Sequence, residues 1–264
     1  MRLCEKEIRR YLEKDDKLSF ELFETLPSTN TYLKAQAEQG AMEGLIVLAE
    51  NQSAGRGRMG RSFSSPDGSG IYMSILLRPK VKATEGILIT ACAAVAVSEA
   101  IERVTGIKTD IKWVNDLYLN GKKVAGILAE GVIAVNGEYE FAVLGIGLNL
   151  TDTFGGTELE NIATGLFSSL SDCELDVIKH RLIAAITESF FAYYRKGLEN
   201  SRTALLKAYK ERLFIIGRAV DVISYSGEAE ATVIELCDDF TLKVRFSDGT
   251  VQMLNSGEVR LKIR

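Results

Sequence analysis

The segment from Gly55 to Arg61 reads Gly-Arg-Gly-Arg-Met-Gly-Arg, so that three arginines are interspersed with glycines over a short stretch. Guanidinium groups bind phosphate oxygens through paired hydrogen bonds, and a glycine-rich backbone can turn several N–H groups towards one anion. The segment therefore predicts a phosphate-binding loop. It matches neither the P-loop pattern nor a G-x-G-x-x-G that opens a helix, so a nucleotide must be held in another way. A solvated basic turn or an RNA-binding segment remains open for this stretch alone.

A second group of ionisable residues lies between Lys112 and Leu128, around a predicted hairpin turn at Asn120-Gly121. The Asn115-Asp116 pair offers a carboxylate that can organise Mg²⁺. The Lys122-Lys123 pair offers ammonium groups that neutralise a developing negative charge. Taken singly, such residues are usually exposed and take no part in chemistry.

Other side chains of chemical interest give no competing site. The single histidine, His180, has no evident partner in the sequence and is expected at the surface. No G-x-S-x-G elbow occurs, so a Ser-His-Asp hydrolase is not supported. Trp113 is expected in the core rather than as a stacking platform. The cysteines are too far apart to signal a zinc site or a disulfide framework, and we expect reduced thiols: Cys4, Cys92, Cys173 and Cys237.

Composition and charge narrow the class of protein. The formal net charge of -4 over 264 residues argues against wholesale wrapping of nucleic acid, although local basic patches are compatible with it. The N-terminus, Met1 to Phe20, is too charged for a signal peptide, and the most apolar stretch, Gly86 to Ala100, is too short to span a bilayer. With reduced thiols, this predicts a cytoplasmic protein without a membrane anchor.

Secondary-structure patterns indicate how these segments are positioned. A Ser-Thr cap at Ser28 predicts a helix over Thr29–Gln39, and the arginine-rich segment falls in twenty irregular residues between predicted strands Leu45–Glu50 and Ile71–Leu77. A long insertion of this kind usually has a function. The other predicted elements are a helix over 3–14, a helix over 84–104, strands over 111–114, 117–119, 124–130 and 139–150, and helices over 176–194 and 201–214.

The last fifty residues follow a different pattern of short strands separated by turns. Their predicted ranges are 219–225, 228–236, 241–246, 250–254 and 258–263. The sequence thus predicts an α+β protein in two domains. Residues 1–214 would form a mixed, mostly antiparallel sheet flanked by helices, and residues 215–264 a small SH3-like β-barrel.

Taken together, the motifs resemble those of the biotin protein ligase family, and the resemblance covers nearly the whole chain. It includes the last strand, where Ser256-Gly257-Glu258 is similar to the family's closing Ser-Gly-Glu. The other matching segments are Ser28-Thr29-Asn30, Gln52 to Arg61, Lys112 to Leu128 and Gly145 to Asn149.

The resemblance implies a class II synthetase-like catalytic domain and a two-step reaction. Biotin and Mg-ATP would give biotinyl-5'-AMP, and biotin would then pass to a lysine of a biotin carboxyl carrier domain, in acetyl-CoA carboxylase or another carboxylase. Attack of a carboxylate on the α-phosphorus brings two anions together, so cations must offset their repulsion. Lys123 is the leading candidate for that role, with Arg56 and Arg58 as further catalytic candidates.

The resemblance also implies a role for each matching residue. The residues expected to bind biotin are Ser28, Thr29, Asn30, Gln52, Gly55, Arg56, Arg58, Lys123 and Gly126. Those expected to bind the nucleotide are Arg58, Arg61, Asn115, Lys123 and Asn149. Asp116 is expected to help place Mg²⁺.

Two departures and two alternatives qualify these expectations. Val114 stands where many family members carry proline, and the segment before Ser28 is too short for the helix-turn-helix domain of some members, so no DNA binding is expected. A homodimer is possible. The alternatives are a lipoate or octanoate protein ligase of related fold, and a non-enzymatic RNA-binding protein that uses the basic loop.

Overall fold

A seven-stranded sheet forms the framework of the larger part of the chain. The computed structural model describes residues 3–13, 17–66, 68–197, 202–224, 227–255 and 260–263. The strand order is β1-β2-β3-β7-β6-β5-β4; β1 and β2 are parallel and every other neighbouring pair is antiparallel. This confirms the predicted mixed, mostly antiparallel sheet. The strands are β1 (Ser19–Leu26), β2 (Leu45–Gln52), β3 (Gly70–Leu77), β4 (Asp110–Lys112), β5 (Asp116–Leu119), β6 (Lys122–Ile133) and β7 (Tyr139–Asn149).

Helices flank this sheet, as predicted. The longest apolar one, α3, packs against α4, α5 and the sheet, so its alanines and aliphatic residues are buried on most sides. No helix within the described residues is both long and apolar enough to cross a membrane. The helices are α1 (Glu5–Arg9), α2 (Thr29–Glu38), α3 (Ile87–Thr105), α4 (Asp172–Gly197) and α5 (Arg202–Arg212).

Two N-terminal elements differ from the prediction. The helix expected over 3–14 is only α1, because the N–H groups of Tyr11 and Leu12 donate to carbonyls three residues back and tighten the chain into turns. Strand β1 was not predicted. It lies at the edge of the sheet, where its side chains are mostly half-buried or exposed, and no regular alternation marks it in the sequence.

The C-terminal residues form a separate five-stranded antiparallel sheet. Its order is β11-β10-β9-β8-β12, and within the described residues no pairing joins the edge strands β11 and β12. The five strands predicted for this part of the chain are confirmed, and the small SH3-like barrel that they were predicted to form stays a prediction, because turn spacing gives the number of strands but not their closure. The Ser256-Gly257-Glu258 motif lies outside the described residues. The strands are β8 (Ala219–Ser224), β9 (Gly227–Leu236), β10 (Leu242–Phe246), β11 (Val251–Leu254) and β12 (Arg260–Ile263).

The segment between β4 and β5 is anchored from both sides. Trp113 is 4% exposed, and its indole N–H donates to the carbonyl of Phe240 in the C-terminal sheet at 2.9 Å. The hydroxyl of Tyr209 in α5 donates to the carbonyl of Val114 at 3.1 Å. Trp113 is thus a core residue, as predicted, and it fixes the backbone immediately before Asn115.

The hydrophobic core runs continuously across the two sheets, and the division at residue 214 stays a prediction.

The expectation of a surface histidine is wrong. His180 is 3% exposed, and its Nε2 accepts a hydrogen bond from the backbone N–H of Cys4 at 3.1 Å. Its neighbour Lys179 forms a buried ion pair with Glu50, with Nζ and Oε2 2.8 Å apart. The partner of His180 is 176 residues away in the chain, so no local pattern could have indicated it.

Candidate active site

A strip of glycines on β6 and β7 forms the floor of a cleft. Gly126 on β6 is paired with Gly147 on β7, and Gly145 lies two residues before it. A Cβ at Gly147 would come within 2.5 Å of the Phe63 ring, and one at Gly145 within 2.3 Å of the Asn30 amide oxygen. These glycines therefore let side chains from elsewhere in the chain lie directly against the sheet.

One end of the cleft is built around the N-terminus of α2. Ser28 caps this helix, with its Oγ accepting from the N–H of Thr31 at 3.4 Å. The backbone N–H and the hydroxyl of Thr29 both donate to Gln52 Oε1 at the end of β2, at 2.8 and 3.1 Å. Ser28, Thr29 and Asn30 are each at most 5% exposed, so this predicted group is a buried and preformed polar site.

Sequence reasoning missed two residues that complete this end of the cleft. Ser74 on β3 is fully buried, and its Oγ lies 2.8 Å from Thr29 Oγ1 and 2.6 Å from Asn30 Oδ1. Glu130 on β6 accepts from the Asn30 amide at 2.9 Å. The available signal for Ser74 was a serine in a strand whose other residues are glycine, tyrosine, methionine and aliphatic residues. We call Ser28, Thr29, Asn30, Gln52 and Ser74 the recognition pocket.

The Arg-Gly loop, residues 53–66, folds over the cleft. Its backbone closes on itself through hydrogen bonds from Gly57 N to Arg61 O at 2.7 Å and from Phe63 N to Gly55 O at 2.9 Å. A Cβ at Gly55 would lie 2.4 Å from the Phe63 carbonyl oxygen, so this close return requires glycine. Arg56 and Arg58 line the cleft, although Arg56 is about as exposed as the surface residues of the loop, whereas Arg61 is exposed and does not line the cleft.

The other end of the cleft holds a group of charged and amide side chains. Lys123 Nζ lies 2.6 Å from Asp116 Oδ1, and the Asn115 amide donates to the same oxygen at 3.1 Å. Arg58 Nη1 donates to Asn115 Oδ1 at 2.9 Å, and burial is the main cause that lowers the pKa of this guanidinium. We call Arg58, Asn115, Asp116 and Lys123 the charged cluster. A loop arginine and a hairpin lysine thus meet at the neighbouring side chains of Asn115 and Asp116.

Lys112 adds a further cation beside this cluster. It lies opposite Asp116 in the pairing of β4 with β5, and its Nζ is 5.4 Å from the centre of the Tyr118 ring. Burial lowers the pKa of Lys112, and Lys123 and Arg61 lower it further, while Asp116 opposes them. Cations therefore outnumber the single carboxylate here, which suits the site to an anionic ligand.

Comparison with known proteins places this geometry in a family. A model described as the biotin/lipoate A/B protein ligase family matches residues 22–149, a range that contains every predicted site residue from Ser28 to Asn149. The chain is 34% identical over 244 residues to the bifunctional ligase/repressor BirA of Bacillus spizizenii, covering 90% of this chain and 72% of that protein. This chain belongs to the biotin protein ligase family.

Two further comparisons agree with that assignment. The chain is 30% identical over 238 residues to the biotin–[acetyl-CoA-carboxylase] ligase of Mycobacterium tuberculosis, covering 88% of this chain and 85% of that one. A solved biotin protein ligase from Aquifex aeolicus, in complex with biotin and ATP, has a TM-score of 0.72 and 25% identity. The match covers 93% of this chain and 99% of that structure, so the fold is that of the biotin protein ligase family.

Asn149 lies beside the cleft and does not line it. Its side-chain amide donates to the carbonyl of Thr164 at 3.1 Å, and the N–H of Thr164 donates to the backbone carbonyl of Lys123 at 2.9 Å. Thr164 thus connects the side chain of Asn149 to the backbone of Lys123. Its predicted contact with the nucleotide stays a prediction.

The charged cluster is suited to a metal only together with a ligand. In the parts of the chain that the structure describes, no group of three or more histidine, cysteine or acidic residues converges on one point. Asp116 alone offers a carboxylate at the cluster. Mg²⁺ is commonly held by one or two carboxylates and the phosphates of a nucleotide, so one carboxylate fits a metal that arrives with ATP.

Proposed function

We propose that this protein is an ATP-dependent biotin protein ligase. It activates biotin with Mg-ATP to biotinyl-5'-AMP and transfers biotin to a lysine of a biotin carboxyl carrier domain. The observation that carries the proposal is the adjacency, in one cleft, of a neutral recognition pocket and a cationic cluster at Lys123. It is supported by relatives named as biotin ligases that match most of this chain.

The recognition pocket has the right polarity for the ureido ring of biotin. This ring carries one carbonyl acceptor and two N–H donors, and Ser28, Thr29 and Gln52 offer hydroxyl and amide groups of both kinds along one wall. Apolar side chains of Met73 and Ile127 line the remainder of the cleft and suit the rest of the ring system and the aliphatic tail. Gly126 leaves room for that tail beside Lys123.

In the first step the carboxylate oxygen of biotin attacks the α-phosphorus of ATP. A phosphorus–oxygen bond forms to biotin, the bond to the β-phosphate breaks, and pyrophosphate leaves. Lys123 and Arg58 reduce the repulsion between the two anions, and Arg56 extends positive charge across the opening of the cleft. Lys123 exchanges its contact with Asp116 for one with the substrates, and Asp116 is then placed to hold the Mg²⁺ that accompanies ATP.

In the second step the amine of the acceptor lysine attacks the carbonyl carbon of the mixed anhydride. An amide bond forms, the bond from the carbonyl carbon to the AMP oxygen breaks, and the amine loses a proton. The Arg-Gly loop lies over the cleft, where it excludes water from a reactive anhydride that would otherwise hydrolyse.

The remaining assignments follow from the same proposal. We expect the acceptor in acetyl-CoA carboxylase or another carboxylase, a cytoplasmic location, and no DNA binding; a homodimer is compatible with the chain. One relative is named a ligase and repressor, and the chain spans 72% of its length. A mobility-shift assay on a biotin-operon promoter, with biotinyl-5'-AMP present, tests the DNA prediction, and a shift at physiological salt would contradict it.

Pyrophosphate exchange into ATP tests the proposed function directly. Biotin, lipoate and octanoate are offered in parallel, and we expect exchange with biotin alone. Exchange with lipoate or octanoate instead would identify the related ligase activity, since the matching family model covers biotin and lipoate ligases together. A filter-binding assay with mixed RNA tests the remaining alternative, which the hydrogen bond from Arg58 to Asn115 within the cleft disfavours.

A further inference from the structure

Glu130 uses its two carboxylate oxygens to join two parts of the site. Its Oε1 lies 2.9 Å from Arg56 Nη2 in the Arg-Gly loop, and its Oε2 accepts from the Asn30 amide at 2.9 Å in the recognition pocket. The residue lies on β6, four positions beyond Gly126, and is partly buried. None of the motifs of the sequence contains it.

A chain of polar contacts leads from Asn30 through the recognition pocket and back to the Arg-Gly loop. Ser74 contacts both Asn30 and Thr29, and Gln52 both accepts from Thr29 and donates to Ser65 Oγ at 3.0 Å. Ser65 and Arg56 belong to opposite ends of the Arg-Gly loop. The complete path therefore runs from Arg56 through Glu130, Asn30, Ser74, Thr29 and Gln52 to Ser65.

We propose that Glu130 is a positioning residue that links closure of the Arg-Gly loop to occupation of the recognition pocket. The proposal rests on the function proposed above, because it takes the ureido ring of biotin as the occupant. A ligand that bonds to Thr29 and Gln52 restrains Asn30 through Ser74, and Asn30 in turn restrains the carboxylate that holds Arg56. Because coupling between two events is reciprocal, a loop held closed by Glu130 also strengthens ligand binding.

The chemistry of the two contacts requires a carboxylate at position 130. Both partners, Arg56 Nη2 and Asn30 Nδ2, are donors, so two acceptor oxygens are needed. Glutamine offers only one oxygen and turns an NH₂ group towards a second donor. Glu130→Gln therefore removes one link with almost no change in side-chain size.

Hydrogen–deuterium exchange of the free protein tests the first half of the proposal. We expect Glu130→Gln to speed exchange of the Gly57 and Phe63 amides, which are hydrogen-bonded within the loop, by about fivefold. Amides of α3 keep their wild-type rates. The matched control is Glu140→Gln, an exposed residue on β7, which leaves loop exchange unchanged.

Biotin titration by calorimetry tests the second half. Glu130→Gln is expected to weaken biotin binding by about fivefold, and the double variant with Arg56→Gln is expected to bind no more weakly than the poorer single variant. Should Glu130→Gln fold poorly, Arg56→Gln breaks the same link from the loop side and is read by the same exchange measurement. Unchanged loop exchange, or additive losses in the double variant, would overturn the proposal.

The two proposals fail in different ways. If the wild-type protein shows no biotin-dependent exchange of pyrophosphate, the proposed function is wrong, and with it the assigned occupant. Loop exchange in the free protein uses no ligand, so an unchanged rate in Glu130→Gln counts against Glu130 alone.

Discussion

The recognition pocket and the charged cluster lie in the same cleft but are built on different principles. In the pocket, neutral hydrogen bonds join Thr29, Gln52 and Ser74, which belong to three different elements. In the cluster, Lys123 and Asp116 have side chains 29% and 20% exposed and satisfy each other as an ion pair. The pocket is joined by hydrogen bonds before a ligand arrives, whereas in the cluster Lys123 is paired with Asp116 until a substrate replaces one partner, and Arg58 leaves an excess of positive charge.

This difference fits the chemistry proposed for each region. Biotin has a neutral ureido ring, and a preformed pocket lowers the cost of ordering side chains on binding. ATP carries a large negative charge, and unpaired cations held together before it bound would repel each other. We therefore expect substitutions in the cluster to alter rates and substitutions in the pocket to alter affinity, and the predictions below test that division from the largest effect to the smallest.

Lys123→Ala is expected to have the largest effect. It removes the ammonium group that offsets repulsion in the first step, so single-turnover formation of biotinyl-5'-AMP should slow by about a thousandfold. Biotin affinity should change much less, and the melting temperature should stay near that of the wild type because the side chain is partly exposed. Adenylation at the wild-type rate would contradict the assignment of Lys123.

The neighbouring lysine provides a matched control. Lys122 Nζ donates to the backbone carbonyl of Glu160, and it lies on the other side of the strand from Lys123. Lys122→Ala should therefore leave adenylation within about twofold of the wild type. An equal loss in both variants would mean that general positive charge, rather than the position of Lys123, is responsible.

Arg58→Ala is expected to act mainly on retention of the adenylate. Arg58 is partly buried and bonded to Asn115, so its loss removes a charged hydrogen bond from the closed loop. Release of biotinyl-5'-AMP, followed by stopped-flow fluorescence, should be about thirtyfold faster. Arg61 is exposed in the same loop and does not line the cleft, so Arg61→Ala, which tests the nucleotide contact implied for it, should speed release less than Arg58→Ala does. Equal effects would argue against a specific role for Arg58.

The sequence predicted well those features of the two regions that depend on residues close together in the chain. The Ser28 cap, the Asn120-Gly121 turn and the irregular stretch between β2 and β3 depend on neighbouring residues, and the structure confirms all three. Turn residues and capping hydroxyls act over a few positions, so their types and spacing are informative by themselves. The motifs therefore indicated which segments belong to the site.

The parts that the sequence did not predict depend on distant contacts. Glu130 meets Asn30 across 100 positions, and Ser74 meets Thr29 across 45. Closure of the C-terminal strands into a barrel depends on how the edge strands β11 and β12 are placed, and turn spacing carries no information on that. Sequence patterns thus identified the residues proposed for chemistry but not those that hold them in place.

Ser74→Ala tests the pocket and should affect affinity rather than rate. The change removes the one buried hydroxyl that lies within hydrogen-bond distance of both Thr29 Oγ1 and Asn30 Oδ1, so biotin binding should weaken by about tenfold and stability should fall by ~1–3 kcal/mol. Adenylation at saturating biotin should stay within about threefold of the wild type. Ser98 in α3 is similarly buried and bonded to Thr109, so Ser98→Ala should lose stability without losing affinity. A loss of affinity in both variants would show that general stability governs the pocket.

His180 should make the stability of the fold depend on pH without affecting the cleft. Burial is the main cause that lowers the pKa of His180 below its ordinary value of 6.5; Lys179 lowers it further, while Asp176, Glu7 and Glu50 oppose the shift. The unfolded chain then binds a proton at His180 more readily than the folded protein does. The contribution of neutral His180 to the stability of the fold is therefore fully present above pH 6.5 and is lost as the pH falls towards the folded-state pKa.

His180→Gln keeps a side-chain acceptor for the N–H of Cys4 but cannot be protonated in this range. We expect wild-type melting temperatures to fall between pH 7 and pH 5 and those of the variant to fall less, while biotin affinity has the same pH profile in both. The imidazole contacts neither the recognition pocket nor the charged cluster through any described hydrogen bond, so it should act on the fold alone. A shift in the pH profile of biotin binding in the His180→Gln variant would contradict this expectation. It would mean that the contact between His180 and the backbone of Cys4 is coupled to the cleft, so that His180 acts on ligand binding as well as on stability.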